Sequence, residues 1–173
     1  MPAPLARQEK TRDHFFLFTG RTILASVQEE SEWIPMAMRE QQIRAALEQH
    51  WSASAAGDLA AEHDIYQENA VCEYPQSGER IHGRETLKSL RGHHPGRPGG
   101  FTVRRISGSG NLWVTEYLIN YEGKPVYTVS IMEFEEGKCR RETQYFGDPF
   151  DAPSWRAQWV EQVKDPLQAA APK

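Results

Sequence analysis

The chain is poor in the features that settle a function quickly. It holds two cysteines in 173 residues, Cys72 and Cys139. Both sit in stretches of strand character without the paired spacing of a metal knuckle, so buried free thiols are expected ahead of a disulfide or a zinc site. No uninterrupted apolar run approaches the about 20 residues that a membrane span needs. The stretch HFFLFTGRTILASV is broken by Arg21 and preceded by Arg7, Lys10, Arg12 and Asp13, so it also lacks the apolar centre of a signal peptide. Charge is not concentrated either. The net value is −4 with a pI near 5.9, from interspersed signs, which argues against a nucleic-acid groove or a basic membrane face and suits a cytoplasmic protein. Gly-rich phosphate loops, nucleophile elbows, Cys-His nucleophile pairs, internal repeats and low-complexity tracts do not occur. His93-His94 lie in a Gly-Pro-rich loop without the carboxylate and spacing partners that fix a metal. No metal, cofactor, nucleic acid or membrane partner is expected.

What is present is enough apolar sequence for one core and too little for two ordinary domains. Residues 1–35 have a texture of their own, and Met36 and Met38 stand just before the first convincing helix. The expected organisation is an upstream extension or loosely ordered tail over 1–35, one domain over 36–164, and a short tail over 165–173.

Within that domain the period of the apolar residues changes once. From Met38 to Ala56, Ile43, Ala46, Leu47, His50, Trp51 and Ser54 recur at the spacing of one buried helix face. Gly57 ends that helix and Asp58 caps a short second one reaching about Tyr66. The segment AVCEYPQSGERIHGRETLKSLR, Ala70 to Arg91, reads as strand, tight turn, strand and helix. Leu87 and Leu90 are placed on that helix's inner side. From Phe101 to Phe146 alternation takes over, with turn signals at Ser107-Gly108-Ser109-Gly110-Asn111, Glu122-Gly123-Lys124-Pro125 and Glu135-Glu136-Gly137-Lys138. A four-stranded meander follows, then a final helix capped by Ser154 and carrying Trp155, Trp159 and Val163 on one side. Helices covering one face of an antiparallel run give an α+β class.

Turn chemistry also predicts register. A two-residue turn at Gly123-Lys124 sets Tyr117 opposite Ser130 and Ile119 opposite Thr128. A three-residue loop at Glu135-Glu136-Gly137 sets Glu142 opposite Ser130 and Gln144 opposite Thr128. One sheet face then carries Trp113, Thr115, Tyr117, Ile119, Thr128, Ser130, Met132, Glu142, Gln144 and Phe146. The other carries Val114, Leu118, Tyr127, Val129, Ile131, Thr143 and Tyr145. Both are half apolar, so each is expected to bury something.

The run Tyr74-Pro75 followed by Ile81-His82-Gly83-Arg84-Glu85 resembles the central segment of the NTF2-like superfamily, which includes ketosteroid isomerases and SnoaL-type polyketide cyclases; the likeness extends over about Gln41 to Asp148. The closing pattern Tyr-Phe, Pro-Phe, Ala-Pro, Trp-Arg, Trp is similar to SnoaL-like proteins. The resemblance implies a cystatin-like cone, three N-terminal helices on a strongly curved mixed sheet of about six strands, with a conical pocket. It also implies a homodimer through the convex face bearing Val129 and Ile131. At the isomerase's functional positions this chain departs: the catalytic acid before the proline is Tyr74, the oxyanion-binding acid is Ser130, and the oxyanion tyrosine falls near His50. Steroid isomerisation moves a proton with a carboxylate, and a tyrosine near pKa 10 is a poor base at neutral pH. Ketosteroid isomerase activity is therefore not expected.

Two functional readings remain. In one, a small hydrophobic molecule, such as a polyketide-like carbonyl compound, is bound and converted by cofactor-free isomerase or cyclase chemistry. Glu142, the one carboxylate placed on the strands of the concave face, carries the proton, while His50, Tyr74 and Tyr117 orient or donate. Trp51, Trp113, Ser130, Met132, Gln144 and Phe146 line the site. On this reading Glu142→Gln abolishes turnover with little loss of stability. In the other, the chain is a non-catalytic dimeric module, the aromatics (Phe134 among them) are ordinary core, and Glu142 is satisfied by Arg140, Arg141 or a helix donor.

Overall fold

The computed structural model describes residues 36–96 and 98–161. The chain divides into Met1–Ile34 and Pro35–Lys173, and the described residues belong to the second unit. The extension expected over 1–35 and the tail over 165–173 lie outside them.

Helix α1, Met36–Ala56, is built largely from Ala, Gln, Glu, Arg, Met and Leu, which lose little rotamer freedom in a helix. Its 21 residues span about 32 Å. It ends in a Schellman motif. Gly57 takes φ 73°, its N–H bonds the carbonyl of Ser54, and the Asp58 N–H bonds that of Ala53. Asp58 then caps α2, Leu59–His63, accepting from the N–H groups of Ala60 and Ala61. This helix is shorter than the sequence suggests. Tyr66 already opens strand β1, Tyr66–Tyr74, with a bulge between Tyr66 and Val71. Strand β2, Glu79–His82, precedes α3, Arg84–Gly92. The meander is β3, Pro98–Ser109; β4, Leu112–Tyr121; β5, Lys124–Glu135; and β6, Lys138–Gly147.

The six strands form one curved, unclosed sheet in the order β2-β1-β6-β5-β4-β3. Only the β1–β6 pair is parallel. Helices pack on one side, so the α+β cone is as expected. The hairpin registers differ from the sequence reading. Both long turns are two-residue, Glu122-Gly123 and Glu136-Gly137, with positive φ at each position. That conformation matches strand twist and favours glycine second, so the turn sits one residue earlier than Gly123-Lys124. Tyr117 therefore faces Thr128 and Ile119 faces Val126. Ser130 faces Gln144, Thr128 faces Phe146, and Met132 faces Glu142. The β4–β5 slip is of two residues; in β5–β6 the turn shifts the pairing by one and a bulge between Glu133 and Phe134 by one more, so both slips end even and the side chains keep their assigned faces.

Burial largely separates those faces, Leu118 being the buried exception on the outer one. Trp113, Thr115, Tyr117, Ile119, Thr128, Ser130, Met132, Glu142 and Gln144 are all buried, under Ile43, Leu47, His50 and Trp51 of α1. Trp51 Nε1 donates to Thr115 Oγ1 at 3.1 Å, tying helix to sheet. A Cβ on Gly108 would come within 2.5 Å of the Leu112 carbonyl and 2.7 Å of the Trp113 ring, so only glycine admits that ring across β3. On α3, Leu87 is fully buried, whereas Leu90 is exposed and not inward as expected. Cys72 and Cys139 are buried and free. The closing helix is a 3₁₀ turn, Ser154–Trp159, that Pro153 precedes without a side-chain cap. At three residues per turn, Trp155 and Trp159 stand about 120° apart, not on one side. Val163 lies outside the described residues. No described helix is long and apolar enough to cross a membrane.

Candidate functional site

Strand alternation on β6 turns Glu142 toward the helices, where it is 0% exposed. An isolated carboxylate there would cost several kcal/mol. It is instead surrounded by donors. Oε1 accepts from Ser130 Oγ at 2.7 Å and Gln144 Nε2 at 2.7 Å. Oε2 accepts from Tyr66 OH at 2.6 Å and Arg91 Nη2 at 3.2 Å, with Cys72 Sγ at 3.7 Å. Arg91 reaches in from the last turn of α3 and also binds Glu62 Oε1 at 2.6 Å and Tyr66 OH at 3.1 Å. Ser54 Oγ adds a bond to Glu62. One guanidinium thus bridges two buried carboxylates, Glu62 from α2 and Glu142 from β6. The charge partner is a helix donor, Arg91, and not Arg140 or Arg141, which pair with Glu133 and, from Arg141, also with Glu73.

The electrostatics follow. Burial alone would push Glu142 up, but the adjacent Arg91 charge and the bonds from Tyr66 and Ser130 outweigh it and hold the carboxyl below its ordinary range. Burial raises the phenols of Tyr66 and Tyr117 well above their usual value, and the negative charge of Glu142 adds to this. Tyr74 is raised by burial and by Cys72. These phenols stay protonated; Tyr66 donates to Glu142, while Tyr117 accepts from Gln144. His50 is lowered to about 4, by burial first and then by Arg91. Its Nδ1 lies 2.6 Å from the Glu62 carbonyl oxygen, which places the ring proton on Nδ1 as donor. The remaining lone pair, on Nε2, is buried without a partner.

The sequence-predicted residues do not all meet at one point. Glu142, Ser130, Gln144 and Tyr117 are linked directly, since Gln144 Nε2 bridges Glu142 and the Tyr117 hydroxyl at 3.1 Å. Tyr74 and Phe146 are half-buried and meet edge to face, with centroids 5.6 Å apart, at the end of the sheet where Tyr117, Thr128 and Phe101 also lie. Trp113 and Met132 belong to the packed core. Trp51 stacks with Phe101 at 5.5 Å, and Phe101 with Tyr117 at 4.7 Å, so these three rings pack on one another inside the cone. Thr128 Oγ1 is buried there without a partner. Among the described residues, a hollow of about 340 Å³ is lined by outward-facing Glu116, Tyr127, Val129 and Tyr145 together with Tyr117, Thr128 and Phe146 of the same strands, and an open groove of about 630 Å³ lies by Gln67, Arg84 and Lys138. No cluster of three or more metal-type ligands occurs among the described residues.

Arg91, Glu62 and Tyr66 are members of this array that the sequence reading did not name. A signal for Arg91 exists: it stands four residues after Leu87, on the same helix stripe, and an inward carboxylate requires a cation.

The comparisons agree with this architecture. A family model described as the SnoaL-like domain matches residues 47–142, more than half the chain. Among solved structures, the chain is similar to an NTF-2 like protein of unknown function from Burkholderia xenovorans LB400. The two share 67% identity over 73% of this chain and 98% of that one, with a TM-score of 0.69. The protein belongs to the SnoaL-like family of the NTF2-like fold. Two more distant structures share the fold. A candidate ketosteroid isomerase from Kribbella flavida DSM 17836 is 23% identical over 73% of this chain and 93% of its own, with TM-score 0.68. An LEH-like epoxide hydrolase of M. tuberculosis is 20% identical over 62% and 84%, with TM-score 0.52. No curated protein matches the chain.

Proposed function

We propose that this protein binds a small, neutral, largely aromatic molecule bearing a carbonyl oxygen, at the aromatic-rimmed end of its cone, and that it does so as a non-catalytic dimeric module. The observation that carries the reading is the state of Glu142: ionised, fully buried, and with both oxygens occupied by donors. Such a group has no lone pair to offer a substrate proton and acts as a fixed anion. What it leaves usable is the Tyr117 hydroxyl, which accepts from Gln144 and keeps its own proton to donate, with Tyr74 beside it and Thr128 still unpartnered. Two carboxylates against one guanidinium disfavour an anionic ligand. The ligand takes the place of Phe101, a half-buried ring at the start of an edge strand, against Trp51 and Tyr117. Dimerisation uses the outer sheet face around Val129 and Ile131, which are only half-buried in the single chain.

A second reading, proton transfer of isomerase or cyclase type, draws on the 2.6 Å Tyr66–Glu142 bond within the concave face. It suits the isomerase and hydrolase names of the distant fold relatives, but requires Glu142 to shed a donor. Binding of 2-acetylnaphthalene, naphthalene and 2-naphthoate, followed by Trp51 fluorescence, tests the first reading. The ketone is expected to bind about tenfold tighter than naphthalene, the worth of one hydrogen bond, and Tyr117→Phe to erase that preference. Equal binding of ketone and hydrocarbon, or tightest binding of the carboxylate, would contradict it.

A further inference from the structure

Gly147 ends β6, and the following segment, Asp148–Glu161, leaves the body of the domain. It carries Phe150 at 80%, Trp155 at 71% and Trp159 at 71% exposure. Each aromatic of this size has 150–250 Å² to bury, and a monomer rarely leaves such a group bare. The outer face of the sheet is likewise only partly covered among the described residues: Leu118 is buried, Tyr127, Val129 and Ile131 are half-buried, and Tyr145 is exposed. The two surfaces are continuous, because Gly147, the root of the segment, lines the 340 Å³ hollow on that face. A hollow of that size is at the lower end of those that hold small molecules and takes one indole.

Charge matches as well. Arg104 lines the hollow with its Nε–H buried and unpartnered, and the segment begins with Asp148 and carries Asp151. The arm's one cation, Arg156, already lies over the Phe150 ring, 5.8 Å from its centroid.

We infer that Asp148–Glu161 is an arm exchanged between two copies of this chain, each arm laying its indoles on the outer sheet face of the other and a carboxylate on Arg104. This rests on the reading of that face as the dimer surface. A two-fold axis makes the contact reciprocal, so both arms are covered at once. Six residues of extended chain, 148–153, give a reach of about 20 Å before the 3₁₀ turn, enough to cross from one sheet onto its neighbour.

The test uses the full chain. Glu116→Cys in one preparation and Ser154→Cys in another, differently tagged, are mixed and treated with a short bismaleimide; the native Cys72 and Cys139 are buried. A mixed-chain product is expected. In sedimentation equilibrium, Trp155→Ser/Trp159→Ser is expected to raise the dimer Kd about 30-fold or more, as loss of a hot-spot aromatic does. A dimer of unchanged Kd in that variant overturns the arm exchange and leaves the face itself as the interface. A wild-type chain that is monomeric at every concentration overturns both. A monomer whose Trp155 and Trp159 are shielded from iodide shows cover from within the chain, and also overturns the exchange.

Discussion

The two faces of one sheet are treated very differently. On the concave face Glu142 is charged and fully buried, yet each of its oxygens is met by donors from β1, β5, β6 and α3. On the outer face, and on the arm that follows it, apolar groups stand in the open. The charge on the inner face is therefore met within one chain, while the outer face keeps apolar groups exposed. The difference supports the proposal that the buried charge at the centre of this fold is a fixed anion and not the reactive group. Here the polar array ties helix to sheet, and the outer face is the surface proposed above for a second copy.

The most forceful way to break this contrast is to remove the cation on which the inner face depends. Arg91→Ala leaves Glu62 and Glu142 buried without their shared guanidinium, and a loss of about 3–5 kcal/mol in urea unfolding is expected. A loss below about 1 kcal/mol would mean that the array is solvated. Pairing Arg91→Met with Glu142→Leu should recover part of the loss, since an apolar replacement avoids desolvating charge.

A smaller effect comes from pH. The His50 ring titrates at about 4 when folded, against 6.5 when free, so the unfolded chain binds the proton more readily between those values. The stability this contributes, about 3 kcal/mol, is fully present above pH 6.5 and is lost as pH falls to about 4. His63, also lowered, acts in the same direction, and Glu142 adds a further loss below the ordinary carboxylate range. Denaturation midpoints should hold from pH 7.5 to about 6.5 and fall from there to about 4, and His50→Gln should flatten the slope. A flat wild-type profile would place both histidines in water.

Much of the fold is legible in the sequence because its signals are local. Gly57-Asp58 states a helix stop and a cap. The Gly123 and Gly137 turns announce hairpins, and an alternation error of two residues costs the register without exchanging the faces. The centre of the candidate site is harder to read because it joins residues 62, 66, 91, 130 and 142, which meet only through the parallel β1–β6 pairing and the docking of α3. Arg91 looks like a solvated charge at a helix end, and its long side chain is what lets it reach the core. Leu90 looks like the inner residue because short helices leave the face assignment to one position. Tyr66 was hidden by the bulge that starts β1 earlier than the apolar pattern does.

The central claim, that Glu142 is a fixed anion and not a proton carrier, is tested most directly by observing its carboxyl. A ¹³C-detected titration of the Glu142 side chain, assigned with Glu142→Gln, should show a carboxylate throughout the neutral and mildly acidic range, with protonation only below the ordinary carboxylate value. A carboxyl that instead takes its proton between about pH 6 and 7, the range useful to a general acid or base, would contradict the claim and return Glu142 to catalysis.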